Sequence, residues 1–329
     1  MKSVPCHLYP DVRIPISRGE NYVEELVMWK PDVIHSQCEF FSYGFAKRFE
    51  NVTGAVLIHT YHTLYEQYTE YIPVGKRIGR AALAKWMKAR LRGVDRIIAP
   101  TKKVEETLRE YGVESPIDII PSGIELRQFA QKADAHKLQM LREKYGIPEG
   151  TKVLISLGRL GFEKQVGELI QGMKELASRR KEIVLLIVGD GPARESLQRQ
   201  VREQELESYV KFTGMVDPQE TYLYYQLGDI FVCASTSETQ GLTYIEAAAS
   251  ALPLVCRKDP CLNGVLEEGD NGYFYETTEE YAEIVCRVAG EEQWLREAAG
   301  RSRSISGKYD TTRFGKSVER CYRRGRERR

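Results

Sequence analysis

At 329 residues the chain has room for two domains, each with a substantial hydrophobic core. Its 48 Lys and Arg balance 47 Asp and Glu, so no overall field points to nucleic acid. The seven cysteines form no C-x-x-C pair, and several sit inside apolar runs as buried free thiols do; this argues against a secreted disulfide framework and for a reducing cytoplasm.

Short apolar runs alternate with helical stretches throughout, the pattern of an α/β protein with largely parallel sheets. No signal peptide opens the chain and no apolar run reaches membrane-spanning length, so any membrane contact is expected at the surface. A Pro-rich coil comes first. The strand candidates that follow are Asp32-Val33-Ile34, Val56-Leu57-Ile58, Ile97-Ile98-Ala99 and Ile117-Asp118-Ile119-Ile120. A turn, Pro121-Ser122-Gly123-Ile124-Glu125, and a polar helical stretch over 131–144 separate them from a second series. That series has six runs, at 153–157, 183–188, 210–212, 230–233, 254–256 and 273–275, and makes a complete doubly wound unit. The first series lacks an opening strand and glycine-rich turn, so the first domain is expected to be incomplete. The expected divisions are residues 1–125, residues 126–305, and a C-terminal helix with a basic tail over 306–329 that returns to the first domain. The last residues of that tail, Arg323 to Arg329, read as a solvated end.

Several stretches carry candidate chemistry. His59 and His62 follow the second strand in His59-Thr60-Tyr61-His62-Thr63-Leu64-Tyr65. No third ligand or accompanying Glu suggests a metal site, and hydrogen bonding at the mouth of a sugar pocket fits better. A His capping its own strand stays open, for His59 more than His62. From Lys76 to Lys103 the chain holds ten Lys or Arg against one acid, Asp95. On a helical wheel over 76–94, Ile78, Ala82, Leu83, Trp86, Met87, Leu91 and Val94 share one side. Arg77, Arg80, Lys85, Lys88 and Arg92 occupy the other, and Arg90 intrudes on the apolar sector. Such a helix suits the interface of an anionic membrane, or packs on its own sheet with a solvated basic face.

In the second series, Gly158-Arg159 and Lys164 follow the first strand, where ligands of open α/β sheets gather, and supply two cations for phosphate. A surface loop with exposed charges is the alternative. Gly189-Asp190-Gly191-Pro192 matches a dinucleotide fingerprint only loosely and reads better as a tight turn. The stretch Ser235-Thr236-Ser237-Glu238-Thr239-Gln240-Gly241-Leu242-Thr243-Tyr244-Ile245-Glu246 joins an apolar strand to an alanine-rich helix. Its glycine admits a ligand to the backbone and to the unpaired first N–H groups of the helix, a seat for phosphate. Carboxylates are poor partners for phosphate but good acceptors for sugar hydroxyls, so Glu238 and Glu246 suggest a nucleotide-sugar site. An ordinary strand–loop–helix junction is the other reading.

Together these residues resemble the retaining glycosyltransferases of GT-B fold, the large family that includes sucrose synthases and phosphatidylinositol mannosyltransferases. The Glu238-x7-Glu246 element, the Gly158-Arg159…Lys164 element and the Gly189–Pro192 turn occur in that family's order. Within the family, His59-Thr-Tyr-His-Thr-Leu-Tyr, Ile120-Pro-Ser-Gly-Ile-Glu and Ser235-Thr-Ser-Glu-Thr-Gln-Gly-Leu-Thr-Tyr are similar to bacterial 1,2-diacylglycerol 3-glucosyltransferases. The resemblance runs from about Asp32 to Tyr275. It implies two Rossmann-like domains facing across a cleft, and transfer of a hexose, glucose from UDP-glucose, to diacylglycerol with retention. It also implies roles. Arg159 and Lys164 would hold the diphosphate, with Gly158 beside them and the backbone of Gly241 and Leu242 binding phosphate. Glu238 would grip the hexose and Glu246 the ribose. The backbone around Met215 and Val216 would meet the base, and His62 would face the donor sugar. No cofactor or metal is implied, and the partners are a UDP-hexose, a lipid and an anionic membrane surface on the cytoplasmic side, reached through the helix at 76–94.

Two departures accompany the resemblance. Relatives begin with a strand and glycine-rich loop that lie ahead of Met1, so activity of this chain as it stands is in question. They also carry a second histidine after the one at His35, where this chain has Gln37. Other acceptors within the family, or a non-catalytic nucleotide-sugar-binding fragment, are the alternatives. A dehydrogenase is disfavoured, since no Gly-x-Gly-x-x-Gly follows a first strand.

Overall fold

A computed structural model of the protein describes residues 3–6, 9–15, 20–66 and 76–327, with side chains at residues 4, 24–66 and 79–327. The side chains of Arg77 and Ile78 and the terminal Arg328 and Arg329 lie outside the described residues. The chain divides into two compact units, Met1–Pro121 with Phe314–Arg329, and Ser122–Arg313.

In the first unit the elements run β1 (Ser3–Cys6), β2 (Tyr9–Pro15), α1 (Glu20–Trp29), β3 (Val33–Ser36), α2 (Phe41–Thr53), β4 (Val56–Thr60), α3 (Lys76–Leu91), β5 (Arg96–Ala99), α4 (Lys102–Glu110) and β6 (Ile117–Ile119). Strands β3-β4-β5-β6 pair in that order, all parallel. Successive residues of a strand face opposite ways, and both faces are covered. Leu57, Ile97 and Ala99 pack with Tyr43 of α2, Met87 and Leu91 of α3 and Leu108 of α4. Val56, Ile58 and Ile98 face the other way, toward Val318 and Cys321 of the C-terminal helix.

Strands β1 and β2 form a separate antiparallel pair. The expected Pro-rich coil is thus partly strand. Pro5, Pro10 and Pro15 mislead because a two-stranded ribbon has edges that tolerate a missing N–H.

The second unit continues α5 (Leu126–Ala130), α6 (Ala135–Lys144), β7 (Lys152–Leu157), α7 (Val166–Arg179), β8 (Ile183–Val188), α8 (Arg194–Glu203), β9 (Val210–Gly214), α9 (Thr221–Leu227), β10 (Ile230–Cys233), α10 (Leu242–Ala249), β11 (Leu254–Arg257), β12 (Gly272–Tyr275), α11 (Thr278–Val288), α12 (Glu292–Ser306) and α13 (Thr311–Arg326). Helix α13 begins at the end of this unit, and its remainder belongs to the first. The sheet order is β12-β11-β10-β7-β8-β9, all parallel. Every residue of β8 is buried, the unbroken apolar run expected of a strand covered on both faces. The order reverses between β7 and β10. Chain leaving their C-terminal ends diverges to opposite faces and leaves a crevice there, the usual ligand position in open α/β sheets. Among the described residues no helix is long and apolar enough to cross a membrane.

Candidate functional site

A cavity of about 590 Å³ opens at the C-terminal edge of the second sheet. Gly158 and Arg159 reach it from the end of β7, Gly189 from β8, Met215 and Val216 from β9, and Glu246 from α10. Close backbone approach shapes one wall. At Gly189, φ is +130°, and a Cβ would lie 2.0 Å from the Gly158 carbonyl oxygen. The Gly-x-Gly turn therefore serves loop packing as well as lining the cavity.

The loop after β10 is built by local bonding. Gln240 is 4% exposed; its side chain accepts from the Ser122 N–H at 2.7 Å and donates to the Ser122 carbonyl at 3.0 Å. Gly241, at φ +70°, stands ahead of α10, and a Cβ there would lie 2.2 Å from Tyr244 Cε2. The first turn of α10 thus begins at Leu242, with N–H groups that have no acceptor within the helix.

The charged groups are arranged in pairs. Lys164 Nζ donates to Glu238 Oε1 at 2.6 Å, and Arg159 donates to the buried carboxylate of Glu163. Glu246 accepts from the Tyr225 hydroxyl at 2.8 Å. Burial raises the Glu246 pKa above the ordinary carboxylate value, and the Tyr225 bond partly opposes the shift. The cavity therefore gathers Gly158, Arg159, Met215, Val216 and Glu246. Lys164, Glu238, Gly241 and Leu242 do not line it; the first three stand between β7 and α7 or between β10 and α10, and Leu242 opens α10.

His62 belongs to the first unit, just beyond β4, and pairs with Gln37 Oε1 at 3.3 Å. Partial burial lowers its pKa, Glu39 opposes the shift and His59 adds to it. His59 itself is fully buried, with Nε2 3.3 Å from Glu39 Oε1. Glu39 also accepts from the Tyr65 hydroxyl at 2.5 Å. Four groups carry this architecture without having stood out in the sequence: Glu39, Glu163, Tyr225 and Gln240. Only Glu163, four residues after Arg159 in a turn, had a local signal.

The expected amphipathic helix forms as α3, but its apolar side is divided. Met87 and Leu91 are buried and Leu83 half-buried, whereas Ala82 and Trp86 are exposed. Arg90, which intruded on the apolar sector, turns inward: Nε donates to the Glu39 carbonyl at 2.8 Å, and the guanidinium lies over the Tyr43 ring. Among the described residues no group of three His, Cys, Asp or Glu is arranged to hold a metal ion.

A doubly wound parallel sheet with paired cations and carboxylates on the loops flanking its switch point makes this an α/β protein whose candidate site lies at that crevice. Comparison with known proteins narrows it. Residues 139–301 match the family described as "Glycosyl transferases group 1", and residues 1–128 match "Glycosyltransferase Family 4". The alpha-monoglucosyldiacylglycerol synthase of Acholeplasma laidlawii is 30% identical over 311 residues, 92% of this chain and 78% of that protein. Its namesake from Streptococcus pneumoniae is 35% identical over 274 residues, 83% of this chain but 62% of the relative's length. Among solved structures, Anabaena HepE in complex with UDP superposes with a TM-score of 0.77 at 17% identity, covering 92% of this chain and 81% of that one. The same protein has been solved with UDP-glucose, at TM-score 0.75, 18% identity, and 91% and 81% coverage. The chain belongs to the group 1 glycosyltransferases, and its two parallel-sheet Rossmann-like domains are those of the GT-B fold.

Proposed function

We propose that the protein transfers glucose from UDP-glucose to the free hydroxyl of 1,2-diacylglycerol, with retention, at the cytoplasmic face of a membrane. The observation that carries this reading is the placement of Arg159 and Glu246 in one cavity at the switch point, with the Lys164–Glu238 pair on the adjoining loops. Two relatives whose names join glucose to diacylglycerol support the acceptor, and the UDP-glucose complex of HepE supports the donor.

In this reaction the bond between the anomeric carbon and the β-phosphate oxygen breaks. The acceptor oxygen bonds to that carbon on the same face, and the acceptor proton goes to the departing phosphate. Negative charge gathers on the diphosphate as the bond breaks. Arg159, Lys164 and the amides of Gly241 and Leu242 therefore act more strongly on the transition state than on the ground state. Donor binding exchanges partners: Lys164 leaves Glu238 for phosphate, and Glu238 takes hexose hydroxyls. Gly158 lies beside the diphosphate, Met215 and Val216 meet the base, Glu246 accepts from the ribose, and His62 is assigned to the hexose. No resident metal or cofactor enters the proposal. Exposed Lys85 on α3 and Arg92 just after it suit an anionic lipid surface, where each cation contributes on the order of 1 kcal/mol, whereas Arg80 pairs with Glu66 and Glu110 and Lys88 with Glu114.

The test is incubation of the full chain with labelled UDP-glucose and diacylglycerol in neutral or anionic vesicles, with NMR of the product anomer. An α-glucosyl lipid, formed faster on anionic vesicles, is expected. A β-linked product would overturn retention. Donor binding without transfer to diacylglycerol would overturn the acceptor.

A further inference from the structure

The first unit carries a surface feature that donor chemistry leaves unused. A groove of about 610 Å³ runs between α2 and α3, lined by Phe40, Phe41, Gly44, Phe45 and Trp86, with Arg48 and Arg90 at its sides. Phe40 is 52% exposed, Phe41 50% and Trp86 39%, and the Phe40 and Trp86 rings stack with centroids 5.7 Å apart. Three large aromatics exposed together form an apolar patch of the sort that marks a binding surface rather than ordinary solvent exposure.

We propose that this groove holds one acyl chain of the lipid acceptor, an inference that rests on the lipid reading above. Three observations select that occupant. The groove offers ring faces and a bare Gly44 Cα, while the Arg90 guanidinium is engaged by the carbonyls of Glu39 and Phe40 and by the Tyr43 ring. A peptide would bury backbone donors and acceptors against rings, at a desolvation cost that a hydrocarbon chain does not incur. Exposed Arg48 at one side of the groove and Arg90 at another place positive charge beside the aromatics, complementary to the anionic surface in which such a chain resides.

The groove is also tied to the acceptor side by contact. The Phe40 ring meets Tyr65 edge-on at 5.4 Å, Tyr65 donates to Glu39, and Glu39 pairs with His59 of β4. A chain lying in the groove therefore has its headgroup end beside the C-terminal ends of β3 and β4, where His62 stands.

Gly44 supplies the decisive variant. A Cβ there meets nothing within 4 Å, so Gly44→Leu fills the groove without a clash and improves helix propensity in α2. The assay uses dioctanoylglycerol below its aggregation concentration, with no vesicles, and a version brominated on one chain as a contact quencher of Trp86. In the wild type the brominated lipid should quench, and Trp86→Phe should remove that quenching. Gly44→Leu should abolish it too, raise the KM for dioctanoylglycerol about tenfold or more, and leave UDP affinity unchanged. That scale follows from about fourfold per methylene withdrawn from water. Phe41→Ser, at an exposed position, should raise the same KM.

Absence of Trp86 quenching in the wild type would overturn the proposal. So would a Gly44→Leu protein with normal KM and quenching that had lost only vesicle binding, which would make the patch a membrane-insertion surface. If the wild type transfers no hexose to diacylglycerol yet quenching occurs and Gly44→Leu removes it, the groove stands and the acceptor reading fails.

Discussion

The loop after β7 carries two cations, and each stands against a carboxylate: Arg159 against Glu163 and Lys164 against Glu238. Lys164 and Glu238, both largely shielded from water, form a 2.6 Å pair. In the proposed donor complex UDP competes with Glu238 for Lys164, whereas UDP-glucose offers Glu238 hydroxyls in exchange. The two glutamates of the Glu-x7-Glu element thus differ: Glu246 accepts from the Tyr225 hydroxyl, and Glu238 is ion-paired with Lys164, the pair that the proposed donor binding exchanges. Lys164→Ala should lower turnover by about 2–4 kcal/mol of activation free energy, the scale for losing one preorganised charge stabiliser. Glu238→Gln should behave oppositely toward the two ligands. UDP should bind several-fold tighter, since a partly screened ion pair of about 1 kcal/mol no longer competes. Turnover should fall as the hexose loses a charged acceptor. Calorimetric titration of UDP into both proteins checks the first part, and equal or weaker binding to the glutamine variant would exclude the exchange.

Among the elements, α13 shows how the first sheet is closed on its second face. Arg96 of β5 makes two hydrogen bonds to Asp118 of β6, at 2.6 and 3.0 Å, and Arg324 adds a third cationic contact to the same carboxylate at 2.8 Å. These cations, with the Cys321 thiol, hold the Asp118 pKa below its ordinary value against the opposing effect of burial. Gly325 lies so close to the sheet that a Cβ would stand 2.7 Å from Val56 Cγ1. The basic run at 323–329, which reads as a solvated end, is thus engaged at Arg324 and Gly325. Its signal was lost because the acid that meets it is some 200 residues away in sequence. Tyr322 completes the contact through His35, whose ring nitrogens lie 2.8 Å from the Tyr322 hydroxyl and 2.7 Å from Thr60 Oγ1. Burial first, then His59 and His62, depress the His35 pKa from 6.5 to about 4. Between those values the unfolded chain takes up a proton that the folded one does not, so stability falls as pH drops from 6.5 toward 4 and levels off below. The loss is at most about 3 kcal/mol from this group, at 1.36 kcal/mol per unit. Urea unfolding between pH 7 and 4.5 should show it, and His35→Gln should flatten the slope. An unchanged slope in that variant would assign the effect to other groups.

For the whole molecule, the two sheets were legible because every parallel strand is a short apolar run closed by turn residues, and the rhythm restarts at Lys152. The site loops were legible for a related reason: glycines, cations and carboxylates stand directly after strands β7 and β10. What local sequence hides is pairing at a distance. Glu39 meets His59 across 20 residues, Phe40 stacks on Trp86 across 46, and Lys164 reaches Glu238 across 74. Only the fold brings those partners together, and no periodicity announces them. The same division into units yields a prediction for ligand linkage. Every residue lining the switch-point cavity lies in Ser122–Arg313, while His35, Asp118 and the aromatic groove lie in the other unit. UDP at about 100 times its dissociation constant stabilises what binds it by about 2.7 kcal/mol. In a unit of about 190 residues this raises the melting temperature by about 5–10 °C. Scanning calorimetry at pH 7 should therefore resolve a transition that moves with UDP and one that does not. Lowering the pH to 5 should shift the second through His35. Hydrogen exchange supplies the residue-level check, with UDP slowing exchange in the amides of β7, β8 and α10 and leaving β4 and β5 unchanged. A single transition displaced as a whole by UDP, with protection spread equally over both sheets, would show that the ligand's stabilisation is not confined to its own unit.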